Sequence, residues 1–397
     1  MSETLQPVFI PRIKPGDVPA LALAMARSGL ALMLYGSPGI GKTSLFQAMG
    51  HDRALIAWSQ SCSGLTFQEL PVVTLSAPEL NVEDLLGVPT IEELLNGSVR
   101  RKVTRWATPA MLDPNRPFIL FIDEPNRCEP AVRNALFQLI TGRTTSGGFA
   151  LHKGSIVCMA GNRLEDRAGV RSLDTAFTNR CGHFELVVDP EAWLDWAADQ
   201  EGFSPVVRAF IARHPGLLNK FDPKSPSPQQ PTPRTWAGLG ACLDHSPKHL
   251  QQSLVQGMLG TECAQLYRAF QQHAHVVPSA QQLASDAEGV AVPKEGQLDQ
   301  AWIFATAMGD HLATECTAPP PKRDALGHGV GIALGRLAKA GFEEVTIFAL
   351  RRAWRRVEER RTSQALPNLR FFTAIQTLSQ IPNFAHFLQA MQKEGVM

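Results

Sequence analysis

The sequence predicts an α/β core on a largely parallel, two-sided sheet, followed by an all-helical region, and three observations predict it. Between about residues 30 and 188, short apolar runs alternate with amphipathic stretches, as buried parallel strands alternate with helices. Residues 221–234, "FDPKSPSPQQPTPR", carry five prolines and several small polar residues, which precludes continuous helix or a central strand. Beyond them the pattern is mostly helical, in "TWAGLGACLDH", "QLDQAWIFATAMGDHLA", "GIALGRLAKAG" and "EEVTIFALRRAWRRVEERR".

The expected strands are "LALMLY" (30–35), "PVVTL" (71–75), "FILFI" (118–122), "IVCMA" (156–160) and "HFELVV" (183–188), enough for a doubly wound sheet. Before the first of them Asp17 is expected to cap a helix reaching to about Ser28, with Pro15 and Gly16 as punctuation. The expected organisation is a nucleotide-binding core over 1–220, a Pro-rich linker over 221–235, a helical lid over 236–315 and a helical tail over 316–397. Loops around 278–297 and at "APPPKRD" (318–324) interrupt the helical part, and no repeat or low-complexity segment stands out.

A chain of 397 residues, 44% hydrophobic and 19% charged, has the composition of a globular protein with a real core. Its net charge of +1 supplies no global field for nucleic acid or an anionic membrane, so such partners would need a local patch. Seven cysteines, scattered and without a C-x-x-C pair, read as reduced cytosolic thiols. The amino terminus, "MSETLQPVFIPRIKPGD", has prolines and charges where a signal peptide needs an apolar run, and Arg27 interrupts the only long apolar stretch near it. A cytoplasmic chain without a membrane segment is therefore expected.

The chemistry is carried first by "LALMLYGSPGIGKTS", which holds G-x-x-x-x-G-K-T from Gly36 to Thr43 between an apolar strand and a helix-compatible stretch. Glycines at 36, 39 and 41 let the loop turn back so that its N–H groups, from Gly36, Ser37, Pro38 (which lends shape but no donor), Gly39, Ile40 and Gly41 through Ser44, surround phosphates. The following helix presents its positive end to the same charge. Lys42 would reach the β- and γ-phosphates, and Thr43 would ligate Mg²⁺. A Gly-rich turn holding no ligand is the plain alternative, and the strand and helix on either side disfavour it. "FILFIDEPNR" supplies the second half, a buried strand delivering Asp123 and Glu124 to the carboxyl edge where ligands sit in open α/β sheets. Asp123 would hold Mg²⁺ and Glu124 would polarise the attacking water. Alone, such an acidic pair is a common solvated turn. "NKFD" (219–222) resembles the guanine-reading N-K-x-D motif but runs into the Pro-rich segment instead of following a strand of the nucleotide domain, so ATP is the expected nucleotide.

In this order the motifs are similar to those of the MoxR-type branch of AAA+ ATPases, related to dynein-like and gas-vesicle or Rubisco-activating members. The resemblance rests on "GSPGIGKTS", "NVEDLLGVP" (81–89), "TRWATPAML" (104–112), "FIDEPNRCEPAVRNALFQLI" (121–140), "IVCMAGNRLEDRAG" (156–169), "LDTAFTNRCGHFELVVD" (173–189) and "PTPRTWAGL" (231–239). It covers about residues 15–260 and fades beyond. It implies a P-loop NTPase core in which Asn162 is the sensor 1 residue orienting the attacking water, and Arg234, at the start of the lid, is the sensor 2 arginine. It also implies that Arg180 is presented to the ATP of the neighbouring subunit, against the alternative of a local ion pair with Asp174 or Glu185. Arg163, Arg167 and Arg171 lie near enough in sequence to share that role. Relatives usually have phenylalanine at position 181, which is Cys181 here, and an aliphatic residue at 125, where Pro125 removes a donor and restricts Glu124.

The resemblance further implies a ring, as a hexamer, that couples ATP hydrolysis to remodelling or activating a partner protein, with a von Willebrand A-type domain as the partner's expected feature. Two stretches fit loops at the central face of such a ring: "EELLNGSVRRKVTRW" (92–106), with Arg100, Arg101, Lys102, Arg105 and Trp106, and "TGRTTSGGFALHKGS" (141–155), whose Gly147 and Gly148 read as a hairpin turn. The first could contact protein or nucleic acid, or be a solvated hairpin. Glu358 and Glu359 among the arginines of 350–361 read as an exposed helix face. His245 and His249 have Pro247 between them and no third ligand near, which makes zinc a poor fit. The alternatives to a motor are a nucleotide-dependent assembly switch and a DNA or RNA translocase.

Overall fold

A computed structural model describes residues 10–96, 99–107, 109, 111–166, 175–315 and 320–360. The chain divides into two compact units: 1–189 with 221–226, and 190–220 with 227–397. The two helices that follow the last strand, over 190–199 and 205–213, therefore belong with the helical unit, and the unit boundary falls at Asp189 where the sequence suggested 220.

The first unit is built on a parallel six-stranded sheet. Its strands are β1 (Arg12–Ile13), β2 (Ala31–Tyr35), β3 (Val72–Ser76), β6 (Ile119–Asp123), β7 (Ile156–Gly161) and β8 (Cys181–Leu186), in the order β1-β8-β2-β7-β6-β3. An antiparallel pair, β4 (Val88–Asn96) and β5 (Val99–Ala107), stands apart as its own two-stranded sheet. All five expected strands are present within one or two residues of the expected ends.

Alternation along the buried strands explains why the sheet is covered twice, since successive side chains point to opposite faces. Leu32, Leu34, Ile119, Phe121, Ile156 and Cys158 pack on one face against α1 (Val18–Ser28), α2 (Lys42–Ala48) and α3 (Arg53–Ser63). Met33, Leu120, Ile122, Val157 and Met159 pack on the other against α4 (Val82–Leu86), α5 (Pro130–Gly142) and α6 (Thr175–Thr178). Leu136 of α5 is fully buried in that second layer. Leu136→Ala is expected to cost about 2–5 kcal/mol, read as a lower urea midpoint at unchanged slope.

Asp17 does not act as expected. A short 3₁₀ turn over Pro15–Asp17 leads directly into α1, so Asp17 has helical backbone angles and its side chain makes no capping hydrogen bond. The turn at 147–148 is present, bridged between Thr144 and Ala150, with Gly148 at φ 86°. Its flanks are not free, because Thr145, Phe149 and Leu151 are buried. A Cβ at Gly147 would collide with the Leu86 carbonyl oxygen and approach Trp106 Cβ to 3.2 Å, so this turn packs against the base of the β4–β5 hairpin.

The elements of the second unit, among its described residues, are all helices. One core joins the helices Leu298–Glu315, Pro320–Lys339 and Glu343–Arg360 through residues such as Phe304, Met308, Leu334 and Leu350. Phe210, Trp236, Tyr267 and Phe270 form a second, aromatic cluster. Arg208, nearly buried, is matched by two hydrogen bonds of 2.6 Å to the Asp310 carboxylate. Among the described residues, no helix is long and apolar enough to cross a membrane.

Candidate functional site

The ends of β2, β6 and β7 are level, because Tyr35 pairs with Gly161 and Asp123 with Ala160. Residues that follow these strands therefore meet at the carboxyl edge of the sheet, where the chain leaves the ladder and its backbone groups become available to a ligand.

The loop after β2 turns back through Gly39 (φ 79°) and Gly41 (φ 95°), conformations that suit glycine. A Cβ at Gly36 would meet Ile40 Cδ1, so Ile40 would have to move to admit one. Ile40 in turn packs on the core beneath, which anchors the loop. Ser37 is buried, Pro38, Gly39 and Ile40 are half-buried, and Ser44 is exposed on α2. Lys42 lies buried under the loop, where its Nζ donates to Gly36 O (2.7 Å), Ser37 O (3.1 Å) and Asn162 Oδ1 (3.0 Å).

The two expected metal-holding residues meet: Thr43 Oγ1 donates to Asp123 Oδ2 at 2.9 Å. Burial pushes the Asp123 carboxyl above its usual range, Glu124 adds to the rise, and the Thr43 hydrogen bond and Lys42 oppose it. A hydroxyl and a carboxylate 2.9 Å apart beside the loop are the hard oxygen donors that Mg²⁺ takes, so the residues fit it.

Glu124 follows with φ 54°, a left-handed conformation uncommon outside glycine and costing about 1–3 kcal/mol. Its N–H donates to Ala160 O (2.7 Å), and its carbonyl accepts from Arg127 N (2.9 Å). Pro125 thus sits inside a closed turn in which its missing donor is not needed. The Glu124 carboxylate accepts from Asn162 Nδ2 at 2.8 Å and from Arg127 Nη1 at 2.5 Å. Asn162 therefore bridges Lys42 and Glu124, its oxygen facing the amine and its nitrogen the carboxylate.

Arg180 lies elsewhere. It is the residue before β8, whose Cys181 pairs with Ala31 at the start of β2, so it stands at the amino edge. The five residues of β2 separate that edge from the loop at 36, about 16 Å at roughly 3.3 Å per residue. Buried Phe177 anchors the turn, and Ala31 N donates to Arg180 O at 3.1 Å. His183 Nε2 faces the Thr178 carbonyl at 2.8 Å, which can only accept, so Nε2 carries the proton and Tyr35 Oη donates to Nδ1 at 3.1 Å. Burial pushes the Tyr35 hydroxyl up to about 12, so it remains a donor at neutral pH.

The Arg180 side chain is exposed, and among the described residues no carboxylate pairs with it. Glu185, its expected local alternative, is taken by Arg12 (3.1 Å) and Arg163 (3.0 Å). Arg163 is held by its own chain as well, by Asp166 (2.8 Å) and Glu165 (3.0 Å). Arg167, Arg171 and Asp174 lie outside the described residues. Arg234 belongs to the second unit, exposed near the start of helix Pro233–Cys242, where Thr232 and Thr235 form a capping box.

Two neighbours of this site escaped sequence reasoning. Arg127 pairs with Glu124, and buried Asn126 donates from Nδ2 to Asn162 O at 3.1 Å. The available signal was spacing: a cation three residues past Glu124, just ahead of the Pro130 that opens α5, is placed to fold back on it.

Residues 32–188 match the family model described as "ATPase family associated with various cellular activities (AAA)". No curated protein matches the chain. Among solved structures it is similar to NtrX from Brucella abortus in complex with ADP, 13% identical over 84% of this chain and 64% of that one, with a TM-score of 0.34. It is also similar to a Thermotoga maritima RuvB mutant, 16% identical over 79% of this chain and 92% of that one, with a TM-score of 0.35. The chain thus spans 64% of the length of the NtrX it matches. The family match encloses the glycine-rich loop, the Asp123 and Glu124 pair, Asn162 and Arg180, so the residues assembled at this site lie within the stretch that is similar to an ATPase domain.

Proposed function

We propose that the chain is a Mg²⁺-dependent ATPase of the MoxR type that assembles as a ring, a hexamer, and spends ATP hydrolysis on remodelling or activating a partner protein. Loop 36–44 and Lys42 bind the triphosphate, Thr43 and Asp123 hold the metal, Glu124 polarises water oriented by Asn162, and Arg234 has the sensor 2 role that the resemblance implies. Bound Mg²⁺ would supply charge neutralisation on the β- and γ-phosphates.

One observation carries the ring. The groups for binding and for water activation converge at the carboxyl edge, while Arg180 is exposed at the amino edge, about 16 Å of strand away and beyond the reach of its own side chain. An arginine so placed can serve a phosphate only in another copy, which makes the interface head-to-tail and lets it close into a ring. The test is size: with ATP and Mg²⁺, Glu124→Gln protein is expected to migrate as a closed oligomer, and Lys42→Ala protein, which cannot hold the phosphates, as a smaller species. Identical small species for both would count against assembly on nucleotide.

The β4–β5 hairpin supports a protein partner. Among the described residues its strands pair only with each other, and Ile91 and Val88 are 74% and 59% exposed. Glu93 pairs with Lys102 (3.7 Å) and Glu92 with Arg105 (2.9 Å), while among the described residues Arg100 and Arg101 have no carboxylate. Exposed apolar side chains beside arginines without a carboxylate suit a protein surface that is part apolar and part acidic, in keeping with a von Willebrand A-type partner, better than a phosphate backbone, which offers the apolar side chains nothing. ATPase activity is accordingly expected not to respond to single- or double-stranded DNA or RNA. Stimulation that weakens steeply between two salt concentrations would point to a translocase instead.

A further inference from the structure

Both oxygens of the Glu124 carboxylate are already engaged. Oε1 accepts from Asn162 Nδ2 at 2.8 Å and Oε2 from Arg127 Nη1 at 2.5 Å. Each oxygen keeps a second lone pair, but one that already accepts from a guanidinium is a weaker acceptor toward the water it has to polarise. On the far side of Asn162, Oδ1 accepts from Lys42 Nζ at 3.0 Å. Four side chains therefore form one hydrogen-bonded line, from the amine that reads phosphate to a guanidinium at the surface. Lys42 and Asn162 are 8% and 6% exposed, whereas the Arg127 side chain is 42% exposed.

The backbone between the two ends of the Glu124–Arg127 pair is fixed. Asn126, 3% exposed, donates to Asn162 O and packs so closely on Gly161 that a Cβ there would come within 2.9 Å of its Nδ2. Glu124 N and Arg127 N are tied at 2.7 and 2.9 Å. With the turn's backbone tied at these points, the side-chain pair is the part that can open with least disturbance.

We propose that Arg127 is a positioning residue for ATP hydrolysis: its guanidinium is the outer end of a latch that holds one oxygen of the Glu124 carboxylate, and turnover speeds up when that pair opens. This rests on the assignment of Glu124 as the base. The inner end of the latch responds to substrate, because phosphate drawing on Lys42 competes with its bond to Asn162, and Asn162 is then held less firmly against Glu124. The outer end is a single half-exposed ion pair, which can open without disturbing the core.

The test is steady-state ATP turnover by full-length Arg127→Ala protein. The expected result is a kcat about five-fold above wild type, equivalent to about 1 kcal/mol at 1.36 kcal/mol per tenfold, with KM for ATP unchanged. Arg127→Lys, which restores the charge, is expected to bring the rate back down. The double variant Glu124→Gln with Arg127→Ala should be as inactive as Glu124→Gln alone, which shows that any gain in Arg127→Ala runs through the same base. Arg127→Gln and a thermal melt cover the case in which Arg127→Ala folds poorly. A kcat that falls or stays level in folded Arg127→Ala and Arg127→Gln overturns the latch while leaving the base in place. Turnover persisting in Glu124→Gln overturns the base, and the latch with it.

Discussion

Glu124→Gln is expected to leave ATP bound and unhydrolysed. The amide is close to isosteric and retains an oxygen for the hydrogen bond from Asn162 Nδ2, which spans 2.8 Å in the native chain; its nitrogen cannot accept from Arg127 Nη1, so that exposed pair opens while the Asn162 side of the site is kept. It cannot take a proton, and general-base assistance of this kind is worth about 10²–10⁴ in rate. Nucleotide affinity should be retained, because the loop that surrounds phosphate and the Lys42 amine beneath it are untouched. Phosphate release and the identity of nucleotide recovered from denatured protein measure both halves: ATP bound to the variant, ADP recovered from wild type. Lys42→Ala is the matching control, expected to lose the nucleotide itself. Full activity in purified Glu124→Gln protein would remove Glu124 from its role, and the 2.5 Å pair with Arg127 would then be an ordinary turn contact.

How much of this was legible follows from which interactions are local. The loop at 36–43 could be read because positive φ at 39 and 41 requires glycine and because a strand buried on both faces has to be written as an unbroken apolar run. Asp123 and Glu124 were legible as the residues that end such a run. The left-handed backbone at Glu124 was not, since nothing in a glutamate announces it; Pro125 marked the position as unusual without giving its geometry. β1 has two residues, too few for any periodicity, and exists only because Arg12 and Ile13 pair with Glu185 and Leu186. The β4–β5 ladder carries charge and apolar residues on both faces, so alternation could not separate a hairpin from a solvated loop. Residues 190–220 look helical in sequence whichever unit owns them. Their membership is decided by tertiary contacts such as Arg208 with Asp310, more than a hundred residues apart.

Arg180→Ala is expected to cost about 10³–10⁵ in turnover, the contribution of a guanidinium that meets charge developing on the transferring phosphoryl group. Nucleotide binding should survive, because Arg180 is remote from the loop of its own chain. The mixing experiment gives the loss its meaning. Arg180→Ala subunits bind ATP but present no guanidinium, and Lys42→Ala subunits present one but bind no ATP. Random mixing of equal amounts places an intact loop against an intact Arg180 at roughly a quarter of head-to-tail seams, and activity should reappear in about that proportion. Action within one chain forbids any recovery, since each variant lacks a part it cannot borrow. Arg163 provides the internal comparison: its guanidinium is committed to Asp166, Glu165 and Glu185, chiefly Asp166, which together hold it above its ordinary range. Losses in Arg163→Ala should therefore track destabilisation of the fold and stay unrescued by Lys42→Ala subunits. If Arg163→Ala is rescued and Arg180→Ala is not, the trans-acting arginine is the one beside Asn162, and the turn before β8 is structural.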